Sequence, residues 1–229
     1  LIAGIETAKA SVSLSAIFGS PAGIFTDSIL RFGTQEQKDR YIAPVIEGEK
    51  IACFALTEPG AGSDAAAMAT TAVRDGDEWV LNGAKTFITA SDVGDFILVF
   101  ATVDKSLGAK GITGFLVERG TPGFTSGKVE DLLGLHASSA GELFFRDCRI
   151  PASNLIGEIG KGLRIAFGAL DLGRIHVAAQ GIGLAKAALA ATLTYTAERE
   201  QFGKPVGDFQ GVQWMLADMS VQVDAATLM

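Results

Sequence analysis

Two short segments of the chain combine glycine, hydroxyl and aromatic residues in a way that suits ligand binding. Residues 56–64 read LTEPGAGSD, and residues 85–89 read KTFIT. In the first segment, Gly60 and Gly62 allow backbone N–H groups to approach a ligand closely, and Ser63 adds a hydroxyl; these are the components of an anion-binding nest. The two segments together favour a site for a flat, polar, phosphate-bearing molecule.

Residues 56–64 also have a purely structural interpretation. Taken alone, a glycine-rich segment between apolar runs is more typical of a turn in a β-barrel than of a ligand site. A phosphate-binding P-loop is excluded, because no Gly-Lys-Ser or Gly-Lys-Thr follows the glycines. From the residues of this segment alone, both the turn and the ligand site stay open.

Other arrangements that could carry chemistry are weak. Only two histidines occur, His136 and His176, and neither has a cysteine or carboxylate cluster at ligand spacing, so we predict no metal site and place His176 on a helix face. Residues 123–127 lack the Gly-x-Ser-x-Gly order of a nucleophile elbow and predict a turn. Gly181 and Gly183 lie in a helical pattern with no preceding strand, which indicates close helix packing and not a dinucleotide-binding fingerprint.

The bulk composition is that of a globular protein. The 229 residues include 19 basic and 26 acidic side chains, and the resulting net charge of −7 disfavours nucleic acid and anionic membranes as partners. Cys53 and Cys148 both lie in apolar, strand-like runs, so we expect buried, reduced thiols. The longest uncharged run, residues 10–26, is interrupted by glycine and proline, and we therefore predict no insertion into a membrane.

Hydrophobic patterning divides the chain into three regions. Residues 1–50 predict the end of an N-terminal helical domain, in which Thr34 and Gln37 fit a capping box. Residues 51–155 predict a middle β domain, and residues 156–229 predict the start of a C-terminal helical bundle. The two long helices of this bundle are predicted at residues 161–200 and 209–229.

The middle domain is predicted from short apolar runs separated by turn signals. Asp75-Gly76 and Asn82-Gly83 predict hairpin turns, because glycine accepts the positive φ that tight turns need. In residues 95–100, the five residues after Asp95 are apolar without alternation, which indicates a strand covered on both faces. Strands without intervening helices predict an antiparallel barrel or sandwich, and the fold class is α+β. The predicted strands are residues 51–56, 70–74, 78–81, 85–89, 95–103, 112–118 and 142–149.

Residues 56–64 and 85–89 resemble, in order and spacing, the flavin-contacting segments of the acyl-CoA dehydrogenase family. The resemblance extends over essentially the whole chain and implies the fold of that family, with a β domain between two helical domains and with FAD as the cofactor. It implies that Thr57 hydrogen-bonds the pyrimidine edge of the flavin and that Phe87 faces its ring. The flavin contacts implied in this region are Phe54, Leu56, Thr57, Gly62, Ser63, Phe87, Ile88 and Thr89.

Two segments of the C-terminal region extend the resemblance. Residues 170–174 are similar to the substrate-contacting helix of the family, which implies that Ser63, Asp171 and Arg174 line the acyl-CoA site. The alternative for Asp171 and Arg174, three residues apart, is a surface ion pair. Residues 199–210 look like the family segment that reaches the FAD of a partner subunit, where a guanidinium suits a diphosphate. The contacts implied in that segment are Arg199, Gln201, Phe202, Phe209 and Gln210.

The resemblance also implies an activity. It is the FAD-dependent α,β-dehydrogenation of an acyl-CoA thioester to the trans-2-enoyl-CoA, as in fatty acid β-oxidation. Residues 170–183 are most similar to short-chain, butyryl-CoA-type members, so we expect a short or branched acyl chain. An electron-transfer flavoprotein as electron acceptor, a homotetramer, and a bacterial cytoplasmic or mitochondrial matrix location are implied as well. Two alternatives stay open: an acyl-CoA oxidase that uses dioxygen, and a non-catalytic subunit that completes a neighbour's FAD site.

No catalytic base is assigned within the chain. The resemblance places the catalytic Glu of most members beyond Met229, and one branch of the family has it at the position that Gly173 occupies here. Glu58 and Asp64 match structural or flavin-side positions of the family and are not expected to replace it. The chain begins without an initiator Met and stops inside a helical pattern, so we expect a fragment without appreciable dehydrogenase activity.

Overall fold

Four helices open the chain, in agreement with the patterning of residues 1–50. In the computed structural model, which describes residues 1–19 and 21–229, the helices are α1 (Ile2–Ala10), α2 (Val12–Gly19), α3 (Pro21–Phe32) and α4 (Gln35–Ile46). The predicted capping box is present: Gln37 N–H donates to Thr34 Oγ1 at 3.2 Å, and Thr34 N–H donates to Gln37 Oε1 at 3.1 Å. These bonds satisfy donors that the first turn of a helix leaves without intrahelical partners.

The middle of the chain forms a single mixed sheet. It is mostly antiparallel, as predicted, but β1 runs parallel to β4, with Ala52 opposite Phe96. The strand order is β6-β7-β3-β2-β4-β5-β8, and β1 pairs with β4 outside this path. The strands are β1 (Ala52–Ala55), β2 (Thr71–Asp75), β3 (Glu78–Thr89), β4 (Phe96–Thr102), β5 (Ile112–Glu118), β6 (Phe124–Val129), β7 (Ala140–Pro151) and β8 (Leu155–Ile156).

One of the two predicted hairpin turns is present and the other is wrong. Gly76, with φ of 60°, turns the chain between β2 and β3 as expected. At Asn82-Gly83, by contrast, β3 continues, and its register with β7 shifts between Leu81 and Gly83. The positive φ of Gly83, 153°, therefore serves a β-bulge and not a turn. The Asn-Gly dipeptide suits both a β-bulge and a hairpin turn, and only the pairing of β3 with β7 distinguishes the two.

The prediction of a turn at residues 123–127 is also wrong beyond its first residue. Strand β6 begins at Phe124 and pairs with β7, and the Phe124 ring packs 5.3 Å from that of Phe145. Gly127 and Ser126 weaken the strand signal, yet Gly127 is required there, because a Cβ would lie 2.5 Å from the Phe144 ring. Neighbouring side chains thus explain a glycine that local propensity assigns to a turn.

Strand β4 has cores on both of its faces, as its unbroken apolar run predicts. Ile97 and Val99 belong to a core within the sheet that also contains Trp79 and Phe115. The alternate residues of β4 belong to a second core shared with helices α3 and α4. That second core includes Phe25, Ile29, Tyr41, Leu98, Phe100 and Leu116. Cys53 and Cys148 are buried free thiols, as predicted, and burial raises their pKa values to about 12 and about 11.

The C-terminal region contains two long helices. They are α5 (Gly162–Glu198) and α6 (Gln210–Leu228), and the short strands β9 (Glu200–Gln201) and β10 (Lys204–Pro205) form a hairpin between them. The chain has two compact units, residues 17–174 and residues 1–16 with 175–229. The boundary between them falls inside α5, so the division at residues 50 and 155 stays a prediction.

Within the unit of residues 1–16 and 175–229, α1 packs closely on α5. A Cβ at Gly183 would lie within contact distance of the Ile5 carbonyl, so close helix packing is confirmed there, whereas Gly181 borders open space. The His176 ring nitrogen Nε2 is 3.1 Å from the Ser15 carbonyl. His176 is thus a half-buried residue of a helix contact, in agreement with its predicted place on a helix face.

Helix α5 has the length and composition of a membrane span. The mean hydropathy of its most apolar 18-residue window is 1.3. The prediction that no segment enters a membrane considered residues 10–26 and did not consider this helix. A core helix of a helical bundle can have the same length and composition, so these two properties alone do not assign α5 to a membrane.

Candidate functional site

The structure brings the two predicted flavin-contacting segments together within the unit of residues 17–174. Residues 56–58 follow β1, and residues 85–89 end β3. The Thr86 N–H donates to the Thr57 carbonyl at 2.9 Å, and Lys85 Nζ donates to the Leu56 carbonyl at 3.0 Å. Two stretches that are distant in sequence therefore form one continuous surface, which is the candidate site.

A buried ion pair lies beneath this surface. Lys85 Nζ is 2.8 Å from Glu58 Oε1, and the two side chains are 0% and 5% exposed. The Glu58 carboxylate also accepts the backbone N–H groups of Ala69, at 2.5 Å, and Thr70, at 3.0 Å. Because a buried charge is tolerated only when it is paired and hydrogen-bonded, these contacts fix the loop after β1 to two other stretches of the chain.

Both groups of the pair have shifted pKa values. Burial lowers the pKa of Lys85 to about 8, although the Glu58 carboxylate opposes the shift. For Glu58, burial acts to raise the pKa, but the charge of Lys85 and the hydrogen bonds hold it below its ordinary value. Glu58 is therefore an ionised carboxylate whose acceptors are occupied, which agrees with the expectation that it does not act as the catalytic base.

Phe87 occupies a strained position at the edge of the site. Its φ is 57°, a conformation that non-glycine residues rarely adopt, and its side chain is 64% exposed. The register of β3 with β7 shifts between Lys85 and Ile88, so Phe87 lies in a β-bulge that turns its ring outward. Such strain persists only where the surrounding structure enforces it, and it clusters at functional sites.

The other residues predicted for the ring wall differ in exposure. Ile88 is 2% exposed and belongs to the sheet core, so its side chain is not available to a ligand. Thr89 is half-buried, as are Leu56 and Thr57, and the half-buried Phe54 ring packs 5.1 Å from that of Phe100. Among the residues that the structure describes, none forms a hydrogen bond with the Thr57 hydroxyl, and none accepts the Thr57 N–H.

The glycine-rich loop is a tight turn and not a nest. Glu58 N–H donates to the Ala61 carbonyl at 3.0 Å, and Ala61 N–H donates to the Glu58 carbonyl at 3.1 Å. Neither Gly60 nor Gly62 has the positive φ that a nest alternates with the right-handed region. Both border open space, and Gly62 and Ser63 are exposed, so the loop still allows close approach to its backbone.

Residues 199–210 form a separate exposed element in the other unit. The hairpin of β9 and β10 turns at Phe202 and Gly203, which have φ values of 53° and 74°. The Phe202 ring is 93% exposed and packs edge-on to that of Phe209 at 6.2 Å, and Lys204 Nζ lies 4.4 Å from the Phe209 ring. Arg199, Gln201 and Gln210 are exposed as well. The element presents aromatic and polar groups outward.

The residues predicted to contact the substrate from α5 form an exposed ion pair. Arg174 Nη1 lies 2.5 Å from Asp171 Oδ1, which is the geometry of the surface alternative, and a ligand contact by either residue stays a prediction. Gly173 packs on α3, because a Cβ there would lie 3.1 Å from the Ile24 side chain. A glutamate at position 173 would therefore crowd Ile24.

The Lys85–Glu58 pair is the functional feature that the sequence did not predict. Glu58 and Lys85 are 27 residues apart, with β2, a turn and the first part of β3 between them, and no local rule pairs side chains at such a distance. The available signal was the lysine itself, which begins a segment of otherwise uncharged strand residues. A charged residue at an inward-facing strand position requires a buried partner.

Comparison with known proteins identifies relatives over the whole chain. Three models of one family match in order: "Acyl-CoA dehydrogenase, N-terminal domain" at residues 1–49, "middle domain" at 53–148 and "C-terminal domain" at 160–229. The mitochondrial short-chain specific acyl-CoA dehydrogenase of Bos taurus is 47% identical over 228 residues, which cover 100% of this chain and 55% of that protein. The chain thus spans somewhat more than half the length of the curated relatives it matches.

Solved structures agree with these matches. The butyryl-CoA dehydrogenase of Megasphaera elsdenii superposes with a TM-score of 0.96 at 46% identity, over 98% of this chain and 59% of that one. A glutaryl-CoA dehydrogenase from Mycobacterium smegmatis, solved in complex with FADH2, gives a TM-score of 0.92 at 36% identity, over 99% of this chain and 57% of that one. The predicted fold is therefore confirmed.

Proposed function

Because the chain belongs to the acyl-CoA dehydrogenase family, we propose that the whole protein oxidises an acyl-CoA thioester between Cα and Cβ to the trans-2-enoyl-CoA. FAD, when bound, supplies the hydride acceptor. The observation that carries the proposal is the joined surface formed by the two segments. On one segment, the Thr57 hydroxyl and N–H have no hydrogen-bond partner among the described residues, and on the other lies the exposed, strained Phe87. This combination of fixed polar groups and an apolar wall fits a flavin ring.

The residues proposed to hold FAD form two groups. In the sheet region, Thr57 binds the pyrimidine edge, and Phe87 with Thr89 covers the ring. The polar groups of residues 199–210 bind the diphosphate and adenosine end of the FAD in a second copy of the chain. The exposure of that element supports such a role, since the Phe202 ring of its aromatic pair is 93% exposed. This arrangement requires a homo-oligomer, which we propose to be a tetramer.

The proposed substrate is a short or branched acyl-CoA. The names of two relatives support this class: the bovine protein is called short-chain specific, and the Megasphaera elsdenii enzyme is called a butyryl-CoA dehydrogenase. We assign Ser63, Asp171 and Arg174 to the acyl-CoA site, where their exposure leaves them accessible. An electron-transfer flavoprotein is the proposed acceptor of the electrons.

The proposed base lies outside these 229 residues. Within the chain, Glu58 is held by Lys85 and two backbone N–H groups, and position 173 carries no side chain. General-base catalysis typically contributes about a hundredfold to ten-thousandfold to a rate. We therefore propose that the 229-residue chain by itself lacks appreciable dehydrogenase activity.

The test is to purify the full-length protein gently and to measure its FAD content and its acyl-CoA-dependent reduction of a dye. We expect a yellow protein with one FAD per subunit that is active on a butyryl-CoA-length substrate, while the 229-residue chain is inactive. A full-length protein that is colourless and refuses added FAD contradicts the proposed function. Acyl-CoA-dependent dye reduction by the 229-residue chain contradicts the proposed location of the base.

A further inference from the structure

The Lys85–Glu58 pair lies beneath the surface of the candidate site, on the side that faces the protein interior. Lys85 is fully buried, and Glu58 nearly so, which excludes direct contact between either side chain and a molecule on the site surface. A buried ion pair is a weak source of stability, because the cost of removing both charges from water offsets their attraction. Its presence under a ligand surface therefore calls for another explanation.

The contacts of Lys85 supply that explanation. Its Nζ donates to the Leu56 carbonyl at 3.0 Å, and the next residue of β3, Thr86, donates its N–H to the Thr57 carbonyl at 2.9 Å. Two successive carbonyls of the loop are thereby turned toward β3. A peptide unit is planar, so fixing these carbonyls also fixes the direction of the Thr57 N–H.

Glu58 extends the same arrangement to a third stretch of chain. It receives the N–H groups of Ala69 and Thr70, while its partner Lys85 directly precedes the bulge that exposes Phe87. One ion pair thus connects the loop that carries Thr57, the start of β2 and the strained end of β3. The two walls of the candidate site share it as their common support.

We propose that Lys85 and Glu58 are positioning residues, which hold Thr57 and Phe87 in the geometry that binds the flavin without touching it themselves. The inference rests on the proposed function, since it concerns the same site. The inference goes beyond the proposed function because it assigns a role to two residues that make no contact with cofactor, substrate or reacting atoms.

The test compares wild-type full-length protein with the double variant Lys85→Met/Glu58→Gln. Met approximates the volume of Lys without the charge. Gln keeps one acceptor oxygen, which serves either the Ala69 or the Thr70 N–H, because these two groups bind different oxygens of Glu58. In the FAD-free protein we expect amide hydrogen exchange at Thr86 to accelerate at least about tenfold. This is the change expected when one charge-assisted contact is lost. With FAD added, we expect the Kd to rise about tenfold or more and the visible flavin spectrum to shift.

Controls separate positioning from general stability. Arg149→Met removes an exposed arginine that pairs with Asp75 and Glu78 of the same sheet, and we expect it to change none of these readouts. The single variant Glu58→Gln, which keeps the acceptor for Lys85, replaces the double variant if that one does not fold.

Each outcome bears on a different claim. Unchanged Thr86 exchange and FAD affinity in a folded variant overturn the positioning role, and so does exchange that accelerates equally across the whole sheet. Wild-type protein that takes no FAD contradicts the proposed function instead. We expect that the wild-type protein binds FAD, and that the variant shows faster exchange at Thr86 and weaker FAD binding.

Discussion

The two regions assigned to FAD are built differently. In the sheet region, Thr57 and Phe87 are tied to a buried ion pair and to core strands, so the surface exists before any ligand arrives. In residues 199–210, a short hairpin holds the backbone, but the side chains of Phe202, Arg199 and Gln210 extend into solvent. Pre-organised groups bind without a further loss of entropy, whereas exposed side chains must be ordered on binding. Under the proposed function, we expect the first region to set the geometry of the bound FAD and the second to add contacts.

Two exposed phenylalanines, one in each region, sharpen this contrast. Phe87 and Phe202 have nearly the same φ, 57° and 53°. Phe202 precedes Gly203, also at positive φ, in the two-residue turn of a hairpin, where such conformations match the twist of the strands. Phe87 lies within a long strand, where a bulge between Lys85 and the buried Ile88 produces the same conformation. A local turn explains the first, and tertiary pairing explains the second.

The largest expected effect tests the buried support directly. Lys85→Met alone leaves the Glu58 carboxylate buried without its counter-charge, which should lower the free energy of unfolding by about 3–5 kcal/mol. Urea denaturation followed by circular dichroism measures it. The matched Arg149→Met variant removes two exposed ion pairs and should unfold near the wild-type midpoint. Equal losses in the two variants would contradict the distinction between buried and exposed pairs.

Acid should destabilise the sheet region through Glu58. Its pKa in the folded protein is below the ordinary value of 4.5, so the unfolded chain binds the proton more readily. The resulting stabilisation is complete above the ordinary pKa and is lost as the pH falls through the folded value. Urea unfolding at a series of pH values below about 5 measures this slope. Glu58→Gln should flatten it, and an unchanged slope would show that other carboxylates dominate.

Replacing Phe87 or Phe202 by glycine should change FAD affinity differently in the two regions. Phe87→Gly relieves an unfavourable φ, so stability should rise by up to about 1 kcal/mol while FAD affinity falls, because the ring wall is lost. Phe202→Gly should weaken FAD binding only where the protein is oligomeric. Fluorescence titrations with FAD at several protein concentrations measure both. Concentration-independent weakening by Phe202→Gly would argue against a contribution from a second subunit.

The smallest expected effect concerns the ion pair on α5. Asp171→Asn removes an exposed pair at i,i+3 spacing and should change stability by at most about 0.5 kcal/mol. If Asp171 contacts acyl-CoA, the KM of the full-length enzyme should rise with kcat little changed. Steady-state kinetics measures both constants, with Arg149→Met as the control. An unchanged KM would leave Asp171 and Arg174 as a surface pair only.

Local patterns predicted the elements well where neighbouring residues carry the information. The capping box at Thr34 and the turn at Gly76 depend on hydrogen bonds and φ values within four residues, and both are present. The double-sided burial of β4 followed from its unbroken apolar run. Asn82-Gly83 and residues 123–127 were assigned wrongly, because a bulge or an edge strand with glycine has the same composition as a turn.

The sequence by itself determined the family, the order of helices and strands, and the segments expected to contact the flavin, because these depend on residue types and spacings that are read along the chain. Only the tertiary structure decided that Lys85 pairs with Glu58, that β1 runs parallel to β4, and that Phe87 is exposed in a bulge. Each of these three features depends on which strand, distant in the sequence, lies beside the residues concerned. The energy of burying a charge or shifting a register is set by that neighbour and has no local signature.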